Sequence, residues 1–122
     1  MVTADHIRAV FARYCALVSR GDADAIAQLY APDATVEDPV GSPPHRGRAA
    51  IRAFYQASAG AVRLELEGRV RVAGHAGAAA MVARPAADPS LRIETLDVMT
   101  FDDAGLITAM CAYWSADTMV RG

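Results

Sequence analysis

Gly60-Ala61-Val62-Arg63-Leu64-Glu65-Leu66-Glu67 is the stretch where the hydrophobic period of this chain changes. Before it, apolar residues recur at helical spacing. Within it they alternate, as in a strand with one buried face. On the N-terminal side, Ile7, Val10, Phe11, Tyr14, Leu17 and Val18 share one face of a helix, with Thr3 as N-cap and Gly21 at its end. Asp22 caps a second, shorter helix that turns Ile26, Leu29 and Tyr30 inward and stops at Pro32. Thr35-Val36-Glu37 is extended ahead of Asp38-Pro39, and Gly41-Ser42-Pro43-Pro44 is loop. A third helix from about Arg48 carries Ile51, Phe54, Tyr55 and Ser58 on its inner face. On the C-terminal side, Ala78 to Ala83 reads as a strand ended by Pro85, and Leu91 to Phe101 as a long strand. Asp102 to Gly105 is a turn, and Leu106 to Trp114 is the last strand. Three helices followed by an antiparallel sheet is an α+β order.

Composition narrows the class of function. The 122 residues, 53% hydrophobic and 21% charged, suit a single globular domain over 1–122 with one core and one pocket. Twelve basic residues against 14 acidic ones leave a net charge of -2, with no electrostatic footprint for nucleic acid or a membrane surface. Every basic residue is Arg, which removes Schiff-base and other lysine chemistry. Neither a leader nor a long apolar run is visible, so the expected location is cytoplasmic. Cys15 and Cys111 have no CxxC spacing and are expected as buried free thiols. His6, His45 and His75 show no metal-ligand spacing, and no GxGxxG or P-loop occurs, so neither metal nor cofactor is expected.

Five polar positions stand out against apolar patterns. In Leu91–Phe101 both faces are partly apolar, so Asp97 between Thr95 and Met99 is a poor place for a charge. If the turn puts Phe101 opposite Leu106, then Asp97 faces Met110 and Ile93 faces Trp114. Asp97 then either pairs with an arginine such as Arg92 or Arg71, faces water at an edge, or keeps its proton because desolvation penalises the charge. Tyr14 sits centrally on the apolar stripe of the first helix, and Tyr30 and Tyr55 end on inward helix faces. Each is either a core residue with one satisfied hydroxyl or a member of a hydrogen-bond chain. Asp38, made extended by Pro39, is either a solvated turn residue or a carboxylate base at a pocket mouth.

Together these segments resemble a family. Tyr30-Ala-Pro-Asp-Ala-Thr-Val-Glu-Asp-Pro-Val-Gly-Ser-Pro-Pro is similar to the base-carrying segment of bacterial Δ5-3-ketosteroid isomerases. Gly47-Arg48 followed by Ile51-Arg52-Ala53-Phe54-Tyr55 resembles that family's third helix. Leu96 to Asp102 and Met110 to Ser115 resemble its last two strands. The likeness runs from about Val10 to about Ser115, within the wider NTF2-like or SnoaL-like superfamily, and the triple Tyr14, Asp38 and Asp97 makes it specific. The departure is Gly74–Ser90, shorter and less aromatic than the corresponding hairpin.

The resemblance implies a cone of three helices packed against a curved, mainly antiparallel sheet. It implies a steroid Δ-isomerase that moves a C5–C6 double bond to C4–C5 through a dienolate, without metal or cofactor. Asp38 carries over as general base, and Tyr14 and a protonated Asp97 as oxyanion donors. Tyr55 and Tyr30 carry over as the chain behind Tyr14, and Phe54, Met110 and Trp114 as apolar pocket wall. A homodimer is implied too, for which Leu96, Val98, Ile107 and Ala109 offer an apolar outer face. Other classes fit the same cone: an epoxide hydrolase, dehydratase or cyclase, or a non-catalytic module that binds a hydrophobic ligand as a dimer. The native steroid is not legible in the residues.

Overall fold

The computed structural model describes residues 1–122. Helix α1 spans Ala4–Arg20, capped by the Thr3 hydroxyl, which accepts from the His6 N–H at 3.1 Å. The Gly21 N–H closes its other end on the Val18 carbonyl. Helix α2 spans Ala23–Gln28, with Asp22 accepting from the Ala25 N–H at 3.1 Å. The chain then enters strand β1, Tyr30–Glu37, so Pro32 does not stop the helix and Tyr30 is not on it. Pro32 is exposed where the ladder of β1 breaks between Tyr30 and Thr35, a position at which the missing N–H costs little.

A two-residue strand β2, His45–Arg46, falls between the Gly41–Pro44 loop and the third helix. Helix α3 spans Arg48–Ala57 and buries Ile51 and Tyr55; Ser58 ends it and is exposed. Strand β3 runs over Val62–Ala73, well past Glu67, because a bulge between Glu67 and Arg71, with Gly68 at φ 84, absorbs the broken alternation. Strands β4 (Ala76–Pro85), β5 (Leu91–Phe101) and β6 (Ile107–Tyr113) follow. A short turn of 3-10 helix at Ala116–Thr118 leads into β7, Met119–Arg121, which pairs with the start of β5.

The curved sheet has the order β2-β1-β6-β5-β4-β3. All its pairs are antiparallel except β1 with β6, so the sheet is mixed and the α+β cone stands. Ile7, Phe11 and Leu17 of α1 share the core with Ile26, Ile51, Met81, Met99 and Ile107. Each such burial is worth roughly 1.5–3 kcal/mol before entropy is charged against it. Ser19 fixes α1 on β3, its hydroxyl accepting from the Leu64 N–H at 2.9 Å and donating to the Leu64 carbonyl at 3.2 Å.

The register of β5 on β6 differs from the expected one. Asp97 lies opposite Ala112 and Met99 opposite Met110, with an irregularity between Thr100 and Phe101. The connection is longer than a tight four-residue turn, so partners move by two residues and stay on the same face. Past the irregularity Ile107 turns inward and is fully buried, so it does not belong to the outer face. That face carries Leu96, Val98, Ala109, Cys111 and Tyr113, with Leu96 44% and Tyr113 50% exposed.

Gly77 of β4 lies close under helix α1. A Cβ there would lie 2.7 Å from Ile7 Cγ2 and 2.8 Å from Phe11 Cε1. Gly77→Ala is expected to cost roughly 1–3 kcal/mol, read as a lower urea midpoint at unchanged slope. An unchanged midpoint would mean that α1 is free to shift away from β4.

Candidate active site

Helices α1 and α3 and the concave face of the sheet enclose a cavity of about 300 Å³. Ten of its 14 lining residues are hydrophobic, and the other four are Asp38, Ser58, Thr95 and Asp97. A space so apolar strengthens the field of every charge that enters it. Asp38, Tyr14 and Asp97, separate in sequence, all line it, as do Phe54, Tyr55 and Trp114.

Tyr14 projects from the middle of α1 and is 2% exposed. Its hydroxyl lies 3.0 Å from that of Tyr55 on α3, which lies 2.9 Å from that of Tyr30 at the start of β1. Tyr30 has no other hydroxyl partner, and each hydroxyl holds one proton. Tyr30 donating to Tyr55, and Tyr55 to Tyr14, leaves the Tyr14 proton free for the cavity. Burial holds all three phenols well above their ordinary pKa, so they stay neutral donors. The Arg48 side chain fixes the far end, its Nε–H donating to the Tyr30 carbonyl at 2.8 Å.

Asp97 is 3% exposed on the inner face of β5, with Ala79 and Ala112 on the flanking strands. No arginine reaches it; Arg92 pairs instead with Glu67 at 2.8 Å and Glu94 at 3.2 Å. Its partner is the Thr95 hydroxyl, which donates to Oδ1 at 2.9 Å. Burial pushes the Asp97 carboxyl up to about 7, with the Asp38 charge adding to the rise and the Thr95 bond opposing it.

Asp38 follows β1, and the Val40 N–H holds its segment on the Ala112 carbonyl at 2.8 Å. The Trp114 indole N–H donates to Asp38 Oδ1 at 2.6 Å. Burial raises the Asp38 carboxyl, while the Trp114 bond and the nearby His45 ring lower it. His45 itself stacks on Phe54, with ring centroids 4.4 Å apart. Glu37 turns away from the cavity, its carboxylate accepting from the Gly41 N–H at 3.5 Å.

Two expected roles change. Met110 is buried opposite Met99 and does not line the cavity; the two-residue register difference puts Ala112 there instead. Trp114 is more than wall, because it holds Asp38. That contact depends on the parallel pairing of β1 with β6, which joins segments distant in sequence and leaves no local signal. Thr95 and His45 also stand against the site without having been singled out for it. Cys15 is a buried free thiol pushed up to about 12, and Cys111 is free but only half-buried, since it lies on the outer face of β6. No three His, Cys, Asp or Glu side chains gather as metal ligands.

The sequence model of the SnoaL-like domain matches residues 11–110. Over 115 residues, covering 93% of this chain and 94% of the relative, the sequence is 51% identical to "Steroid Delta-isomerase" of Nocardioides simplex. It is 38% identical over 110 residues to "Epoxide hydrolase LasB" of Streptomyces lasalocidi, covering 83% of this chain and 38% of that protein. The solved structure of SalBIII, described as an epoxide hydrolase/cyclase-like enzyme in pyran ring formation in the polyether salinomycin, superposes with a TM-score of 0.89. It is 30% identical, with full coverage of both chains.

The setting of Asp97 has a measurable consequence. An unfolded Asp titrates near 3.9. Raising it to about 7 in the folded state makes the native protein hold a proton that the unfolded chain has lost. That contribution to stability is intact below about pH 4, falls as pH rises to about 7, and reaches a loss of roughly 4 kcal/mol above it. Asp97→Asn, close in shape and not titrating, should match wild type more nearly at pH 4 and exceed it at pH 8. Urea unfolding at both pH values checks this. A gap that does not widen with pH means that Asp97 is ionised and compensated in the folded protein.

Proposed function

The chain belongs to the SnoaL-like domain family of the NTF2-like superfamily, and from that premise we propose that it is a steroid Δ-isomerase acting on 3-oxo-Δ5-steroids. What supports the reading is the set of three groups on one apolar cavity: the Asp38 carboxyl under the Trp114 N–H, a buried Asp97 carboxyl pushed up to about 7, and a phenol in a hydroxyl chain.

Moving the double bond requires a proton to leave the carbon between ketone and alkene and to return two carbons further along. Asp38 takes it and gives it back, so the enzyme ends as it began. Its base strength is a compromise. Burial makes it more basic, while the Trp114 N–H keeps it ionised. Between the two steps the substrate is a dienolate, and the difficulty is the charge on its oxygen. Tyr14 and neutral Asp97 donate to that oxygen from fixed positions, with no solvent to reorganise. A neutral carboxylic acid used as a donor is the known arrangement of ketosteroid isomerases. Phe54, Val62 and Leu64 offer the apolar wall that a fused-ring substrate fills.

Two further features belong to the reading. The apolar outer face of β5 and β6, centred on Leu96 and Tyr113, supports a homodimer. A cytoplasmic location is part of the proposal, and no helix is long and apolar enough to cross a membrane. The likeness to epoxide hydrolases supports a second reading, in which the same acid and base open an epoxide.

Ultraviolet absorbance of the conjugated enone tests the reaction directly. A β,γ-enone steroid should be converted, and an epoxide turned over faster than any such enone would favour the second reading. Asp38→Asn should lower kcat by at least about 10³-fold with little change in KM, while Glu37→Gln stays mild. Tyr14→Phe should cost roughly 10²–10³-fold, and Tyr55→Phe or Tyr30→Phe much less. Equal losses in all three would point to core disruption instead. Trp114→Phe removes a bond to ionised Asp38, so the acid limb of kcat/KM should move to higher pH. A limb that stays in place would separate Trp114 from the base.

A further inference from the structure

Asp97 has two carboxyl oxygens, and only one has a partner. Thr95 lies two residues earlier on the same face of β5 and lines the same cavity. Its hydroxyl is 2.9 Å from Asp97 Oδ1 and has no other partner, so its single proton goes to that oxygen. Oδ2 has no protein partner, yet no buried side-chain polar atom is left unpaired. Oδ2 therefore opens on the cavity. The flanking alanines, Ala79 and Ala112, have no side-chain donor that could turn the carboxyl.

We propose that Thr95 is the positioning residue of the neutral acid. Its hydroxyl marks Oδ1 as the carbonyl oxygen, so the carboxylic proton stands on Oδ2 and faces the substrate. An untethered carboxyl on a two-alanine shelf rotates about its Cβ–Cγ bond, and half of its orientations waste the proton. The Thr95 bond removes that freedom before substrate arrives. It also sets a limit. The same bond stabilises the carboxylate more than the acid, so it brings Asp97 closer to losing its proton. The groups facing Asp97 are Tyr14 and Cys15 from α1, Tyr30 from β1 and Asp38 beyond it. Of these, only Asp38 carries a charge near neutrality, and it acts in the opposite sense to Thr95.

The inference rests on the isomerase reading, and its test separates the two. Thr95→Val keeps the shape of the side chain and removes the hydroxyl, while Thr95→Ser keeps the hydroxyl. Assays follow a β,γ-enone steroid from pH 5 to pH 10, with each variant also made in an Asp97→Ala background. Thr95→Val should lower kcat roughly 3- to 10-fold with KM nearly unchanged, the size expected for one neutral hydrogen bond. Its alkaline limb should move to higher pH, since a bond to the carboxylate is lost. Thr95→Ser should recover both, and with Ala at 97 the Thr95→Val change should be silent. A higher kcat in Thr95→Val, an unmoved alkaline limb, or a full effect persisting without the Asp97 carboxyl overturns the positioning role while leaving the isomerase reading intact. Asp97→Ala as active as wild type overturns the donor role of Asp97 in that reading, and the Thr95 inference with it.

Discussion

A carboxyl group sits inside a β-sheet with nothing to neutralise it. Asp97 stands between two alanine-bearing strands, and the arginine nearest along its own strand, Arg92, is engaged with Glu67 and Glu94. A folded chain tolerates an isolated buried charge only by discharging it, and an acid discharges by keeping its proton. The surroundings thus shift Asp97 toward its neutral form, its carboxyl pushed up to about 7. It makes available a donor that few side chains supply: a strong O–H acid at a fixed place in an apolar space.

The second donor of the proposed mechanism is built from a different resource. A phenol is neutral without help, but an isolated buried hydroxyl is a weak and badly aimed donor. In the proposed mechanism Tyr14 is improved by what lies behind it, Tyr55 and then Tyr30, if each donates its proton to the next oxygen in the chain. The three come from α1, α3 and β1, so the chain of hydroxyls also ties these elements together. Arg48 holds the backbone at its far end, and Ser19 holds α1 to β3. Stability and chemistry use the same contacts here, which is how a helix that closes against Gly77 aims a hydroxyl at a distant strand.

Much of this was legible because it is local. Helix α1, its Thr3 cap, its Gly21 end and the bounds of β5 follow from period and capping alone. Asp97 was conspicuous because it broke a pattern, and Tyr14 because it lay on an apolar stripe. What escaped was non-local. The parallel pairing of β1 with β6 cannot be inferred from either strand, and with it went the Trp114 bond to Asp38. The turn after β5 is irregular, so the register was placed two residues short. Met110, placed on the pocket wall by the family resemblance, and Ile107, placed on the outer face by alternation, both lie in the core. Period two protected the rest, because an even displacement keeps each side chain on its face. Pro32 misled for the opposite reason. A proline usually ends regular structure, but at a break in a ladder it has no bond to lose.

Two carboxyls on one cavity would ordinarily compete, each raising the other. Here they divide the work because their surroundings are unequal. Asp38 receives the Trp114 N–H and feels His45, both of which favour its charged form; Asp97 has only the Thr95 hydroxyl against full burial. The first to ionise is therefore Asp38, and once charged it disfavours ionisation of Asp97 still further. In the proposed mechanism base and acid thus support one another's roles through the field between them. Asp38, being ionised, helps to keep Asp97 neutral. If it takes a proton from a substrate, that help ceases at the moment when negative charge develops on the substrate oxygen. In the proposed reaction the charge on the substrate oxygen then acts on Asp97 in the same sense as the Asp38 charge did, favouring the protonated acid that the reading requires.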